Sequence, residues 1–189
     1  MRIIWSLILG ILPLFTIAQE PMWRAFSDEA GRFQVYAPDR MEEKLDTIET
    51  AVGQLVYHTF FYQPTDQQAD NLLYLISYCD YPEGAMHSDS VDLVESFFLI
   101  TLETARESLG GELIYSDESN YLDYPGKFWR IDYLQGEAVM KTRAFLIGSR
   151  YYCLQTATVK ARSLNRSSDH FLNSFKWLEA KTDKKKSSQ

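Results

Sequence analysis

The 189-residue sequence has few of the features that attach a protein to a membrane or to nucleic acid. Beyond residue 15 it has no apolar run of the roughly 20 residues that a membrane-spanning helix needs. No cysteine lies directly after the N-terminal apolar run, so we expect no lipid attachment to a cysteine just after a cleaved leader. The 19 basic residues are outnumbered by 26 acidic ones and, apart from Lys184 to Lys186, are scattered. The missing apolar run leads us to expect no membrane span. We also expect no nucleic-acid partner, because no basic stripe is available to contact phosphates.

The sequence also lacks motifs for catalysis and for metal binding. The three histidines, His58, His87 and His170, are far apart and have no zinc-ligand spacing. No serine lies in a Gly-x-Ser-x-Gly motif. The oxygen-rich segment 117–123 has no central glycine, and Phe128 stands where a calcium loop would have its closing glutamate. We predict no catalytic residue, no metal site and no cofactor.

The N-terminal residues have the pattern of a secretory signal peptide. Arg2 is followed by a largely apolar run from Ile3 to Phe15 and by a small-residue ending at Ala18, after which cleavage is expected. We therefore expect an unanchored protein in the periplasm or outside the cell. Residues 19–179 are predicted to form one domain, and residues 180–189 a disordered lysine-rich tail.

The two cysteines, Cys79 and Cys153, lie in separate strand-like segments rich in aromatic residues. Export permits a disulfide between them, which would close a loop of about 70 residues and stabilise the fold by about 4 kcal/mol. The alternative is that both are buried thiols on different strands. The sequence leaves both possibilities open.

Turn residues divide most of the chain into strands joined as hairpins. A polar loop ending at Gly31 joins the first pair of strands, and Ala51 to Gly53 joins the second pair, whose first strand is the more exposed. The predicted strands are Trp23 to Phe26, Arg32 to Tyr36, Glu43 to Thr50, Gln54 to Tyr62, Leu72 to Tyr81, Glu112 to Tyr121, Lys127 to Gln135, Glu137 to Ile147 and Arg150 to Thr158.

Two segments have helical periodicity. After possible N-caps at residues 88–90, apolar residues recur at steps of three and four as far as Leu109, and Gly110 and Gly111 end the helix. Leu93, Phe97 and Ile100 widen its apolar stripe. A second helix is predicted from Ser163 to Lys176, with inward-facing residues Leu164, Phe171, Leu172 and Phe175.

This order of elements resembles the PsbP-like fold. The segments that carry the resemblance are Gly31 to Pro38, Arg143 to Tyr152 and Phe171 to Phe175. The resemblance implies an α+β fold in which an antiparallel sheet is sandwiched between the long helix and the C-terminal helix, an α-β-α sandwich. The family includes photosynthetic accessory subunits and a Ran-binding nuclear transport factor, so it implies an accessory or interaction role and no shared catalytic residues.

One surface combines charge with aromatic residues, as protein interfaces often do. The candidate binding residues there are Lys127, Trp129, Arg130, Asp132, Tyr151 and Tyr152. The structural alternative is that Arg130 and Asp132 simply pair with each other, or with Lys141 or Arg143 on the next strand.

We therefore predict a non-catalytic accessory or interaction domain that binds a protein or an envelope component. The expected contact regions are the sheet face and the loops Pro64 to Asn71 and Asp80 to His87. The alternatives are a periplasmic hydrolase whose pocket joins residues distant in sequence, and a carrier of a lipid or small ligand. The sequence does not define the oligomeric state.

Overall fold

The computed structural model describes residues 22–179. The predicted signal peptide and lysine-rich tail lie outside the described residues. The elements in chain order are β1 (Arg24–Asp28), β2 (Phe33–Ala37), β3 (Glu42–Thr50), β4 (Gly53–Tyr62), β5 (Leu73–Asp80), α1 (Val91–Leu109), β6 (Glu112–Glu118), β7 (Gly126–Tyr133), β8 (Ala138–Ile147), β9 (Arg150–Val159), a 3-10 turn (Lys160–Arg162), α2 (Arg166–Leu172) and β10 (Lys176–Trp177).

Seven strands form the main sheet, in the order β3-β4-β5-β9-β8-β7-β6, and every neighbouring pair is antiparallel. Strands β7, β8 and β9 form the predicted meander. A second sheet of three strands, β1-β2-β10, is not hydrogen-bonded to the main one. The α+β fold with its sheet between two helices is thus confirmed, and the small sheet is an additional layer that the sequence analysis did not separate.

Helix α1 covers one face of the main sheet. Its buried residues Val94, Phe97, Phe98 and Leu102 pack in one core with sheet residues that include Trp129 and Tyr151. The helix ends as predicted, because Gly110 adopts the left-handed conformation (φ 56°), which glycine reaches without a steric penalty. The apolar stripe is narrower than predicted, since Leu93 and Ile100 point to solvent.

The small sheet and α2 cover the opposite face of the main sheet. Phe33 and Val35 of β2 share a core with Tyr78, Tyr152 and Phe171. All of these side chains are shielded from solvent, and each large apolar side chain buried in this way contributes about 1.5–3 kcal/mol. The second core therefore joins the small sheet to the main one.

The predicted C-terminal helix is only half as long as the sequence suggested. The side chain of Asn165 accepts a hydrogen bond from the Ser168 N–H and starts α2 after Leu164, which is therefore 92% exposed instead of buried. Beyond Asn173 the chain is extended, and Lys176 and Trp177 pair with β2. The open edge of β2 provides backbone partners that a longer helix would leave unused.

Candidate functional site

The six residues of the predicted binding surface are divided between the two faces of the main sheet. Trp129 and Tyr151 belong to the core under α1, whereas Tyr152 belongs to the core under the small sheet. These three aromatic side chains are at most 4% exposed. Lys127 alternates with Trp129 on one face of β7, and Arg130 and Asp132 lie on the other face. The sheet therefore does not bring the six residues together as one exposed surface.

Arg130 and Asp132 form an ion pair, as the structural alternative anticipated. The guanidinium donates to the carboxylate through Nε (2.6 Å) and Nη2 (3.1 Å), and Lys160 binds the same carboxylate. Asp132 is buried, and burial by itself would raise its pKa. The hydrogen bonds from Arg130 and Lys160 outweigh this effect and hold the pKa below its ordinary value. The carboxylate of Asp132 is thus engaged by two cations within the fold.

The cysteines are both free and buried. They lie on the α1 side of adjacent strands, but Cys79 is opposite Tyr151 and Cys153 is opposite Ser77. Such diagonal neighbours are about 7–8 Å apart, beyond the usual Cα separation in a disulfide. Burial raises the pKa of Cys79 to about 11 and that of Cys153 to about 12, so both thiols are protonated at neutral pH and are poor nucleophiles.

We expect both thiols to be inert in the folded protein and reactive after denaturation without a reductant. Burial and protonation both oppose thiolate chemistry in the native state. Titration with a thiol reagent, with and without denaturant, measures this directly. Two reactive thiols in the denatured sample would agree with the strand register, which keeps the cysteines apart. No reactive thiol in that sample would establish a Cys79–Cys153 bridge.

An open concavity lies where the β3–β4 hairpin meets the small sheet, and we call it the hairpin groove. It has a volume of about 1080 Å³. Its apolar wall comes from β1, from the residue that precedes β3 and from the end of β4: Phe26, Met41, Phe60, Phe61 and Tyr62. Its charged rim consists of Asp39, Arg40, Glu42 and Glu43, and the polar residues Gln63 and Thr65 complete it.

Local structure positions this groove. The antiparallel register places Glu42 opposite Phe61 and Glu43 opposite Phe60, so each carboxylate lies beside an aromatic ring, one pair on each face of the hairpin. Phe60 is fixed by the ring of Phe26, with centroids 5.1 Å apart. Burial raises the pKa of Tyr62, and the nearby carboxylate of Asp39 raises it further. The groove is therefore apolar inside and predominantly negative at its rim.

The hairpin above the groove exposes apolar side chains. Leu45 and Ile48 of β3 are 57% and 47% exposed, and Val56 of β4 is 42% exposed. At the base of the hairpin His58 stacks on Tyr78, with ring centroids 4.6 Å apart, and its Nδ1 lies 3.5 Å from Oε1 of Glu43. The base is thus anchored on the main sheet while the outer strand faces solvent.

The two loops that the sequence suggested as contact regions are tied to the fold. Arg162 donates to the carbonyls of Gln67 and Ala69, and Thr158 donates to that of Asp70. In the other loop region, the N–H groups of Tyr81 and Ser88 bond to the β8–β9 turn. Of the two, only the first contributes to the groove, through Thr65.

Within residues 22–179, neither helix is long and apolar enough to cross a membrane. The same range has no group of three or more His, Cys, Asp or Glu residues placed to hold a metal ion. The groove lining contains aromatic, carboxylate, guanidinium and amide groups, and its hydroxyls belong to Tyr62 and Thr65. Such a lining can bind a partner through apolar contact and charge.

Comparison with known proteins places the fold in the PsbP-like class, as the resemblance predicted. A similar solved structure is that of cyanobacterial PsbP (CyanoP) from Synechocystis sp. PCC 6803. The TM-score is 0.55 and the identity 14%, and the match covers 89% of this chain and 98% of that chain. No family model and no curated protein matches the sequence. At this identity the likeness shows the fold alone.

Proposed function

We propose that this chain is an exported, non-catalytic accessory domain that binds a protein partner at the hairpin groove. The observation that carries the proposal is an apolar groove with a negative rim, lying beside a hairpin that exposes Leu45, Ile48 and Val56. Exposed apolar groups surrounded by polar ones are typical of binding sites. The composition of the rim favours a partner that carries basic and apolar residues.

A binding role agrees better with the lining than the hydrolase alternative does. Nucleophilic hydrolysis needs an activated serine, cysteine or threonine beside a base. The groove lining has no serine, cysteine or histidine, so its one threonine, Thr65, has no histidine there to act as a base. Both cysteines lie under α1 on the other side of the main sheet. The carrier alternative needs an enclosed space between helix and sheet, whereas this groove opens at the edge of the sheet.

A photo-crosslinking experiment tests the proposal in cells of the source organism. Benzoylphenylalanine at Thr65, on the groove rim, is expected to give a discrete protein adduct. The same group at Leu164, which is 92% exposed at the start of α2, provides the matched control and should not.

Charge reversal at the rim separates groove binding from chance contact. The Glu42→Lys/Glu43→Lys variant is expected to reduce the adduct from Thr65 about tenfold or more, because attraction to a basic partner becomes repulsion. Both side chains are exposed, so the free energy of unfolding should change by only about 0.5 kcal/mol. An adduct that forms equally from Leu164, or that survives the charge reversal, would refute the proposal.

A further inference from the structure

Strand β3 is an edge of the main sheet that stays open along its whole length. It pairs with β4 through nine consecutive residue pairs without a register shift. Among residues 22–179, no strand pairs with its other side. Half of its backbone N–H and C=O groups therefore point away from β4, where they can receive another strand.

The opposite edge of the same sheet differs. Strand β6 has seven residues, and its register with β7 shifts between Leu113 and Tyr115. Bulges and short length are two ways in which proteins protect sheet edges from pairing. Strand β3 has nine residues, no register shift and no proline. Of the two edges, β3 thus has the backbone suited to pair with a further strand, and its charged side chains restrict which strand that can be.

The side chains of β3 define the chemistry of the strand that could pair with it. The strand has four carboxylates and one lysine, and Lys44 is already paired with Asp46 at 2.8 Å. Glu43, Leu45, Thr47 and Glu49 alternate along one face. An added strand would place its own alternating residues beside them, so basic residues facing Glu43 and Glu49 would be favourable.

A second copy of this chain does not meet that requirement. Pairing of two β3 strands would bring carboxylates close to carboxylates, and like charges on neighbouring strands are destabilising. The same charges would attract a basic segment. Charge complementarity therefore selects a different, basic chain as the occupant of this edge.

The free edge of β3 continues into the hairpin groove. Glu42 and Glu43 begin the strand and also form part of the groove rim. A segment paired with the first residues of β3 would thus run beside the groove rim. We propose that the partner binds as an extended segment that adds a strand to β3, with basic side chains at alternate positions; this inference rests on the proposed function of the groove.

Synthetic peptides test this mode of binding on the full chain. A fluorescent peptide of alternating lysine and valine is compared with one of alternating lysine and proline, which has the same charge but lacks every second N–H donor. Fluorescence anisotropy is expected to show saturable binding of the valine peptide, at least tenfold tighter than that of the proline peptide. The changes in amide chemical shift that the valine peptide causes should be confined to residues 42–50 and to the groove.

Matched variants distinguish strand addition from general attraction to an acidic protein. The Glu43→Lys/Glu49→Lys variant is expected to bind the lysine–valine peptide at least tenfold more weakly than the wild type does. Glu83→Lys/Glu95→Lys makes the same change of net charge at exposed positions away from β3, and should leave binding within about twofold.

Three outcomes would overturn the inference: equal affinity for the two peptides, amide shifts outside β3 and the groove, or a dimer of this chain in light scattering at the same concentration. If the lysine–valine peptide does not bind more tightly than the lysine–proline peptide, while the crosslinked adduct from Thr65 still depends on Glu42 and Glu43, strand addition is excluded and groove binding remains. If both experiments fail, the proposed function fails with them.

Discussion

Replacing Phe33 with alanine is expected to lower the free energy of unfolding by about 3–5 kcal/mol, the range for removing a fully buried aromatic side chain. Phe33 has no exposed surface and lies 5.7 Å from the ring of Phe60, 6.2 Å from Tyr78 and 6.4 Å from Tyr152. These contacts join the small sheet to the main sheet. Single domains are stable by only about 5–15 kcal/mol, so this one change should remove a large part of the total.

Urea denaturation measures this loss, and two variants serve as controls. Phe33→Leu should cost less than Phe33→Ala, because it leaves a smaller cavity. Tyr36→Ala on the same strand should cost under about 1 kcal/mol, because its side chain is 45% exposed. If Phe33→Ala lowers the free energy of unfolding by less than Tyr36→Ala does, the core around Phe33 does not hold the two sheets together.

The same variant tests how the groove is supported. Phe26, a groove wall residue, packs on both Phe33 and Phe60. Loss of Phe33 removes one of these supports, so amide hydrogens of β1 and β2 should exchange faster relative to those of β8 and β9. Unchanged protection of β1 and β2 would mean that the groove wall does not depend on this core.

Local sequence signals were sufficient for the elements whose limits are set locally. Helix α1 runs from Val91 to Leu109, as predicted, because its apolar spacing and Gly110 lie within the segment itself. The meander of β7 to β9 follows in the same way from turn residues such as Gly136 and Gly148, both with positive φ. These predictions needed no knowledge of distant contacts.

The C-terminal helix shows where local signals were misread. Asn165 is a strong N-cap residue, and the chain extends again after Asn173 to pair with β2. The cap was visible in the sequence. The partner strand was not, because it lies about 140 residues earlier in the chain and is reached only through the tertiary fold.

The candidate surface failed to assemble for a reason that strand geometry could have revealed. Trp129 and Arg130 are consecutive in a strand, as are Tyr151 and Tyr152, and consecutive strand residues point to opposite faces. The hairpin groove could not be found in this way. Its wall joins Phe26 to Phe60 only because two separate sheets pack together.

Removing the carboxylate of Asp132 is expected to lower the free energy of unfolding by about 3–5 kcal/mol, because the guanidinium of Arg130 would be left buried without its partner. The two side chains are 4% and 13% exposed. Replacing both with apolar residues, as in Arg130→Met/Asp132→Leu, should restore most of the loss, since no unpaired buried charge remains there. Lys160 is half exposed, so its ammonium group can turn to water.

Asp46→Ala is the matched control, because it breaks a surface pair whose side chains are 62% and 43% exposed. Such pairs contribute about 0–1 kcal/mol. Urea denaturation of the single and double variants, arranged as a thermodynamic cycle, gives the coupling between Arg130 and Asp132. If Asp132→Ala costs no more than Asp46→Ala, the pair does not stabilise the fold.

Acid should remove the contribution of Asp132 in a definite direction. Its pKa in the folded state is lower than its ordinary value, because the hydrogen bonds from Arg130 and Lys160 outweigh the effect of burial. A carboxylate with a lowered pKa stabilises the fold fully above the unfolded pKa of about 4, and this stabilisation is lost as the pH falls through the folded pKa. As the pH falls below about 4, the free energy of unfolding of the wild type should therefore decrease more steeply than that of Arg130→Met/Asp132→Leu. Parallel curves for the two proteins would show that Asp132 does not bind its proton more weakly in the folded state.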